Sequence, residues 1–254
     1  MKAIVQFSGG VGSWAAAKRA VDIYDEVTLL FADTLIEDAD LYRFLDEAAE
    51  NIGAPLVKIA DGRTPWEVFR DVKFIGNTRI DPCSLVLKRD LLRAWIEEHA
   101  DPADTAIVLG IDWTESHRLD RATPRWEPWT LVAPMCDAPY MDKPEVLAWL
   151  QAEGIEPPRL YAMGFPHNNC GGFCVKAGQA QFKLLLEQMP ERYMGHEREE
   201  QITRVSIGKD VAILRDRRGG TTKPMTLEAF RERLGVDGSD YDAEEWGGCG
   251  CAID

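Results

Sequence analysis

Apolar residues fall into short unbroken runs in the first half of the chain and into wider, helix-like spacings in the second. Residues 2–7 (KAIVQF) read as a strand, 27–32 (VTLLFA) as a second, 55–59 as a third and 105–111 (TAIVLGI) as a fourth, with a short fifth at 129–132. Helical spacing occupies 14–24, with alanines and Val21 on the buried side, and 38–51, where Gly53 supplies the stop. Unbroken apolar runs suit parallel strands covered on both faces. Strands alternating with helices therefore predict an α/β fold, a parallel sheet with helices on both faces.

Beyond residue 134 the pattern changes. Helices are predicted at 142–153, with Pro144 in the first turn, and at 176–188, 191–203 and 227–234. A loop rich in Gly, Asn, Pro and His spans 160–174, and 211–214 reads as a strand. The division is thus an α/β part at 1–134 and a mostly helical appendage at 135–254, packed on it and carrying cysteine clusters. No repeat or low-complexity linker separates the two.

Composition narrows the function classes. A formal net charge of −14 disfavours large non-specific nucleic-acid binding, because an acidic surface repels phosphate backbones. Arg204 to Arg218 is locally basic and reads as a solvated surface. No apolar run reaches the ~18 residues of a membrane span, and the apolar start runs straight into a glycine turn, as a strand and not a signal peptide would. The chain is expected to be cytoplasmic. There, paired cysteines more often bind metal or do redox chemistry than form disulfides.

The strongest local signal is strand, then SGGVGS at 8–13, then helix. Gly9, Gly10 and Gly12 let backbone amides approach an anion, Ser8 and Ser13 add hydroxyls, and the helix start adds unpaired N–H groups and a positive dipole end. Ser8, Gly9, Gly10, Val11, Gly12 and Ser13 are therefore the candidate phosphate site. The order of residues fits neither G-x-x-x-x-G-K-[ST] nor G-x-G-x-x-G. In a parallel sheet the ligand lies beyond the carboxyl ends of the strands, which adds Asp33 and Thr34 after the second strand and residues 112–118 after the fourth. Asp33 has an alternative role as a cap of the next turn.

SGGVGS resembles the SGG-x-D-S pyrophosphate loop (PP-loop) of the ATP pyrophosphatases, with Gly12 where many members carry Asp. FADTLIEDADLYRFL (31–45), CSLVLKRDLL (83–92) and GIDWTESHR (110–118) are similar to segments of the phosphoadenosine phosphosulfate reductase branch of that superfamily, with Asp112 where an arginine is usual. The resemblance covers roughly residues 1–175. It implies a Rossmann-like, adenine nucleotide alpha-hydrolase-like fold that binds ATP or a related adenine nucleotide with Mg2+. It also implies roles for Gly110, Glu115 and Ser116 at the nucleotide and for Lys88 and Arg118 at phosphate or sulfate groups. Lys88 on a solvated helix face, and Arg118 paired with Glu115 or Asp120, are the competing structural roles.

Cys170-Gly-Gly-Phe-Cys174 and Cys249-Gly-Cys251 have no ordinary zinc-ribbon spacing. Soft thiolates select zinc or an iron–sulfur cluster, and some members of the branch hold such a cluster. The candidate ligands are Cys83, Cys170 and Cys174, with Cys249 or Cys251 as a fourth ligand or as a catalytic sulfur carrier. Cys136 reads as a core residue. Of the histidines, His117 is a candidate nucleotide contact and His167 a supporting donor, while His99 and His196 read as structural.

Three functions follow. One is ATP pyrophosphatase chemistry, releasing AMP and pyrophosphate, coupled to sulfur transfer or to adenylation of an acceptor. Another is sulfonucleotide reduction by a C-terminal cysteine with a thiol donor. The last is a nucleotide-binding module without chemistry. The acceptor and the oligomeric state are not legible.

Overall fold

A computed structural model describes residues 1–77, 80–238 and 240–248. Strands β1 (Lys2–Gln6), β2 (Glu26–Asp33), β3 (Leu56–Ala60), β4 (Thr105–Val108) and β5 (Thr130–Val132) form one sheet in the order β3-β2-β1-β4-β5, with every pairing parallel. The chain builds outward from β1 through β2 to β3, then returns to β1's other edge for β4 and β5. The reversal lies between β1 and β4, where open parallel sheets take their ligands.

Strand alternation sorts the two faces. Ala3, Val5, Leu29, Phe31 and Val108 face one core, and Ile4, Leu30, Ala32 and Ile107 face the other. The first face is covered by α1 (Val11–Ala20) and α2 (Ala39–Ile52). Helix α1 buries Trp14 and four alanines, small side chains that let it lie close on the sheet. Asp38 caps α2 through the Asp40 N–H, and Gly53 ends it at φ +76°.

Helix α3 (Pro65–Asp71) opens with a Thr64–Glu67 capping box. A further helix runs through α4 (Pro82–Ser84), a π-helical stretch at Leu85–Asp90 and α5 (Leu91–His99). With α6 (Ser116–Trp126), α5 covers the second face of the sheet. The predicted fourth strand is shorter than its apolar run: β4 ends at Val108, the Leu109 N–H still donates to the Val132 carbonyl at 2.9 Å, and Gly110 lies against the β1 loop.

Helix α7 (Lys143–Ala152), opened by an Asp142–Glu145 capping box, packs on α1: Trp14 and Trp149 meet edge to face at 4.8 Å. The predicted loop at 160–174 holds a short α8 (Arg159–Ala162) and a 3-10 turn at Asn169–Gly172. Helices α9 (Gln179–Gln188) and α10 (Pro190–Ile207), an antiparallel pair β6 (Leu214–Asp216) and β7 (Lys223–Met225), and α11 (Leu227–Asp237) complete the described fold.

The hydrophobic clusters run across position 134. Val146, Leu150 and Ile155 complete the core on the α1 side, while Trp66, Phe69 and Ile75 belong to the cluster of the C-terminal helices. Among the described residues no helix is long and apolar enough to cross a membrane.

Candidate functional site

Helix α1 begins at Val11, three residues before the sequence pattern indicates, so Val11, Gly12 and Ser13 form its first turn. Gly10 at the N-cap contributes no side-chain acceptor, which leaves first-turn N–H groups for a ligand. The Val11 N–H meets the Tyr161 hydroxyl at 3.4 Å. Ser13 Oγ donates to the Gly10 carbonyl at 2.8 Å and lies 3.3 Å from Ser8 Oγ.

Two contacts shape the loop. Gly9 stands at φ +74° and its carbonyl accepts from Asn168 Nδ2 at 2.9 Å, a bond spanning 159 positions of sequence. Gly110, past the end of β4, is pressed against the loop: a Cβ there would lie 2.7 Å from Ser13 N and Cα. At Gly12 a Cβ would stand 3.1 Å from the Gly110 carbonyl. The position where many PP-loops carry Asp is thus tight against backbone.

A cavity of about 200 Å³ opens beside this turn. Ser8, Gly10, Gly12, Ser13, Lys88, Gly110, Glu115, Arg118 and His167 line it, together with Gln6, Tyr161, Asn168 and Asn169, which no sequence motif indicates. Nine buried side-chain atoms among the described residues have no hydrogen-bond partner, and five belong to this lining: both amide atoms of Gln6, Arg118 Nε, His167 Nδ1 and Asn168 Oδ1. Buried polar groups are normally paired, so this concentration describes a polar site shaped for a guest.

The charges around it are held in place. Arg118 donates to Glu115 Oε1 at 2.8 Å and is largely covered, which is the structural role weighed for it, performed on the cavity wall. Lys88 sits in the π-helical stretch and is buried, with Nζ 3.7 Å from Glu37 Oε1. Single wide turns of this kind recur at functional sites because they re-aim one side chain. Glu37 also accepts from Thr34 Oγ1 at 2.8 Å and from the Cys170 N–H. Lys143 lies over the Tyr161 ring at 4.3 Å, and burial lowers its pKa.

Lys88 also borders a second, small cavity with Thr34, Cys83, Cys170, Phe173 and Cys174. Cys83 is thereby brought to the Cys170–Cys174 segment, distant from it in sequence, next to the larger cavity. Cys170 stands at φ +53°, an uncommon conformation outside glycine, and this turns its N–H toward Glu37. Among the described residues no group of three His, Cys, Asp or Glu is arranged to hold a metal ion. Cys249 and Cys251 lie outside the described residues.

Other candidates are placed elsewhere. Asp33 accepts from the Leu35 N–H at 2.8 Å and from the Tyr42 hydroxyl at 2.9 Å, so its carboxylate serves the turn, its alternative role. Burial and that carboxylate push the Tyr42 phenol far above its usual range. Thr34 faces the cysteine side. Ser116 starts α6 and, like His117, is exposed outside the lining. Cys136 packs under the 109–112 turn, its thiol against the Asp112 carbonyl at 3.4 Å, and burial followed by Asp112 raises its pKa. His99 stacks on Trp95, and His196 is buried against Phe173.

The family model described as "Phosphoadenosine phosphosulfate reductase domain" matches residues 2–173. Among solved structures, the chain is similar to the phosphoadenylyl-sulfate (PAPS) reductase of Candida auris, in its phosphate complex, at 14% identity and a TM-score of 0.43, covering 64% of this chain and 78% of that one. It is also similar to the NMN synthetase of Francisella tularensis, at 13% identity and a TM-score of 0.42, covering 61% of this chain and 62% of that one. No curated protein matches.

Proposed function

Because the chain belongs to the phosphoadenosine phosphosulfate reductase domain family, we propose that it is an adenine-nucleotide enzyme that cleaves ATP to AMP and pyrophosphate and couples this to sulfur transfer or to adenylation of an acceptor. The observation that carries the reading is the set of unpartnered buried polar atoms converging beside the uncapped start of α1. Phosphate oxygens would accept from the first-turn N–H groups and from Arg118 Nε, and the helix dipole would favour their charge. Donors fixed before the ligand arrives stabilise charge developing on a leaving pyrophosphate.

Magnesium is proposed to come with the nucleotide, held by its phosphates and by Glu115, the carboxylate in the lining. Thiolates of Cys83, Cys170 and Cys174, with Cys249 or Cys251, are the donor set proposed for zinc or an iron–sulfur cluster. Such a group would supply sulfur binding or electrons.

A second reading is sulfonucleotide reduction, favoured by the place of Lys88 in the walls of both cavities. There Cys249 or Cys251 would attack the sulfate sulfur, the nucleotide phosphate would leave, and a dithiol would release sulfite.

One assay separates the readings. Protein prepared without oxygen is incubated with ATP and magnesium, and AMP and pyrophosphate are followed. ADP and orthophosphate as products would overturn the first reading. Sulfite formed from the sulfonucleotide with a thiol donor would establish the second. Iron and zinc analysis of the same sample checks the cysteine set: less than one metal atom per several chains, with full turnover, would remove the metal.

A further inference from the structure

Lys143 opens α7, in the half of the chain that carries no phosphate motif, and its stem is exposed. Its ammonium is tucked over the face of the Tyr161 ring at 4.3 Å and donates to the Pro166 carbonyl. Burial lowers its pKa, the mark of an ammonium held out of water without a counter-charge. Among the described residues Lys143 forms no ion pair. Asp142 and Glu145, the carboxylates nearest to it in sequence, accept instead from each other's backbone N–H in the capping box. The two cations of the cavity wall are matched: Lys88 Nζ stands 3.7 Å from Glu37, and Arg118 donates to Glu115 at 2.8 Å. The charge left without an offset beside the phosphate turn is therefore that of Lys143.

Tyr161 joins this charge to the turn. Its ring carries the ammonium on one face, its side chain lines the cavity, and its hydroxyl takes the Val11 N–H at 3.4 Å. A Cβ at Gly10 would come within 3.3 Å of the same oxygen. The hydroxyl thus stands at the first turn of α1, where Gly10 supplies no cap. An acceptor seated on that turn lies within its reach. A phenol donates as well as accepts, and a cation on the ring face draws electron density from the ring, which makes the O–H a stronger donor.

We propose that the C-terminal half supplies a phosphate clamp: the Tyr161 hydroxyl donates to a phosphate oxygen seated on the first turn of α1, and Lys143 behind the ring provides the positive charge that the matched Lys88 and Arg118 do not. This rests on the nucleotide reading above. Tyr161 is a binding residue here, and Lys143 is a positioning residue that acts through it. A bound phosphate gives the tucked ammonium the counter-charge it lacks. The clamp also ties binding to the packing of α7 and α8 on the loop, since both side chains come from that region.

The test is equilibrium binding of ATP and of inorganic pyrophosphate, which has only the phosphate end, to wild type, Tyr161→Phe, Lys143→Met and Lys143→Arg. Tyr161→Phe keeps the ring and is expected to weaken both ligands by about tenfold or more, as loss of a hydrogen bond to a charged group does. Lys143→Met keeps the stem and is expected to weaken both by about three- to tenfold, while Lys143→Arg keeps the charge and stays within about threefold of wild type. A structural role for Lys143 would not show this rescue by arginine. Tyr161→Phe that binds as well as wild type, or tighter, overturns the proposal, since the hydroxyl would then only fill the Val11 N–H. So does Lys143→Met that binds as wild type, or Lys143→Arg as weak as Lys143→Met; these variants change an exposed stem and decide the matter even where Tyr161→Phe does not fold. A loss seen with ATP and not with pyrophosphate also overturns it, because the pair would then serve another part of the ligand. Failure of wild type to bind either ligand overturns the nucleotide reading itself, which is a different result.

Discussion

Alanine at position 110 would set its Cβ 2.7 Å from both the Cα and the amide nitrogen of Ser13, and neither atom belongs to a movable side chain. The turn and the end of β4 would have to part. Gly110→Ala is expected to lower stability by about 1–3 kcal/mol, as overpacking does, and to weaken nucleotide binding by about tenfold or more through the displaced first-turn amides. Denaturant unfolding and nucleotide titration check the two effects, and unchanged values would mean that the loop has room to spare. Single residues also mark where sequence reading ends. The glycines of 8–13 were legible because a ligand-free backbone approach needs them in a row. Asn168 and Tyr161 were not, because their work depends on a contact across 159 and 150 positions. Asp33 is ambiguous in sequence: a carboxylate at a strand end suits a ribose hydroxyl or a turn equally, and only the neighbouring Tyr42 decides its placement. Gln6 did leave a signal, an amide in a buried strand.

At the scale of elements, two of the buried titratable groups on α10, His196 and Glu200, act in opposite senses. His196 accepts from Trp66 Nε1 at 3.0 Å and stacks on Phe173, and burial lowers its pKa from 6.5 to about 3. Glu200 accepts from the Ile213 N–H at 2.9 Å and the Leu227 N–H at 2.6 Å, yet burial raises its pKa from 4.5 to about 7. Folded protein thus holds fewer protons at His196 than unfolded protein between pH 3 and 6.5. That stabilisation is present above pH 6.5 and is lost on acidification. At Glu200 the folded state holds more protons between pH 4.5 and 7, so its stabilisation is present at low pH and is lost as pH rises toward 7. Between pH 4.5 and 6.5 the two slopes oppose, and wild type is expected to be nearly flat from this pair. Glu200→Gln should unmask His196: stability then falls by about 1 kcal/mol from pH 6.5 to 5.5, read from denaturant midpoints. A profile as flat as wild type would show that the pair does not titrate this way. Among the elements, the Gly53 stop of α2 was read from the sequence, while the Thr64–Glu67 box before α3 emerged only with the structure. The π-helical turn carrying Lys88 was not, since no local residue pattern marks a wide turn forced by its packing.

For the whole molecule, the five strands of the sheet and its first two helices were legible from apolar runs, whereas the helices between Pro65 and Trp126 and the sheet order β3-β2-β1-β4-β5 were not. How the second half closes on the first was not, because a core is a property of faces meeting and not of either segment. The sequence division at 134 makes a sharp prediction here. A fragment of residues 1–134 would keep all five strands but lose Val146, Leu150 and Trp149 from the α1 side. Its Trp66 would lose Phe173 as neighbour, and Trp66 and Phe69 would both lose the C-terminal part of their core, which includes Phe182 and Tyr193. Each large apolar side chain left uncovered forfeits about 1.5–3 kcal/mol of burial, and net domain stability is only about 5–15 kcal/mol. The site would be opened as well: Asn168 no longer holds Gly9, and Tyr161 no longer meets the Val11 N–H. The fragment is therefore expected to show no cooperative thermal transition and no nucleotide-induced rise in melting temperature, where the full chain shows both. Calorimetry of each with and without ATP decides it, and a cooperative, ATP-responsive fragment would mean that the first half folds and binds without its partner.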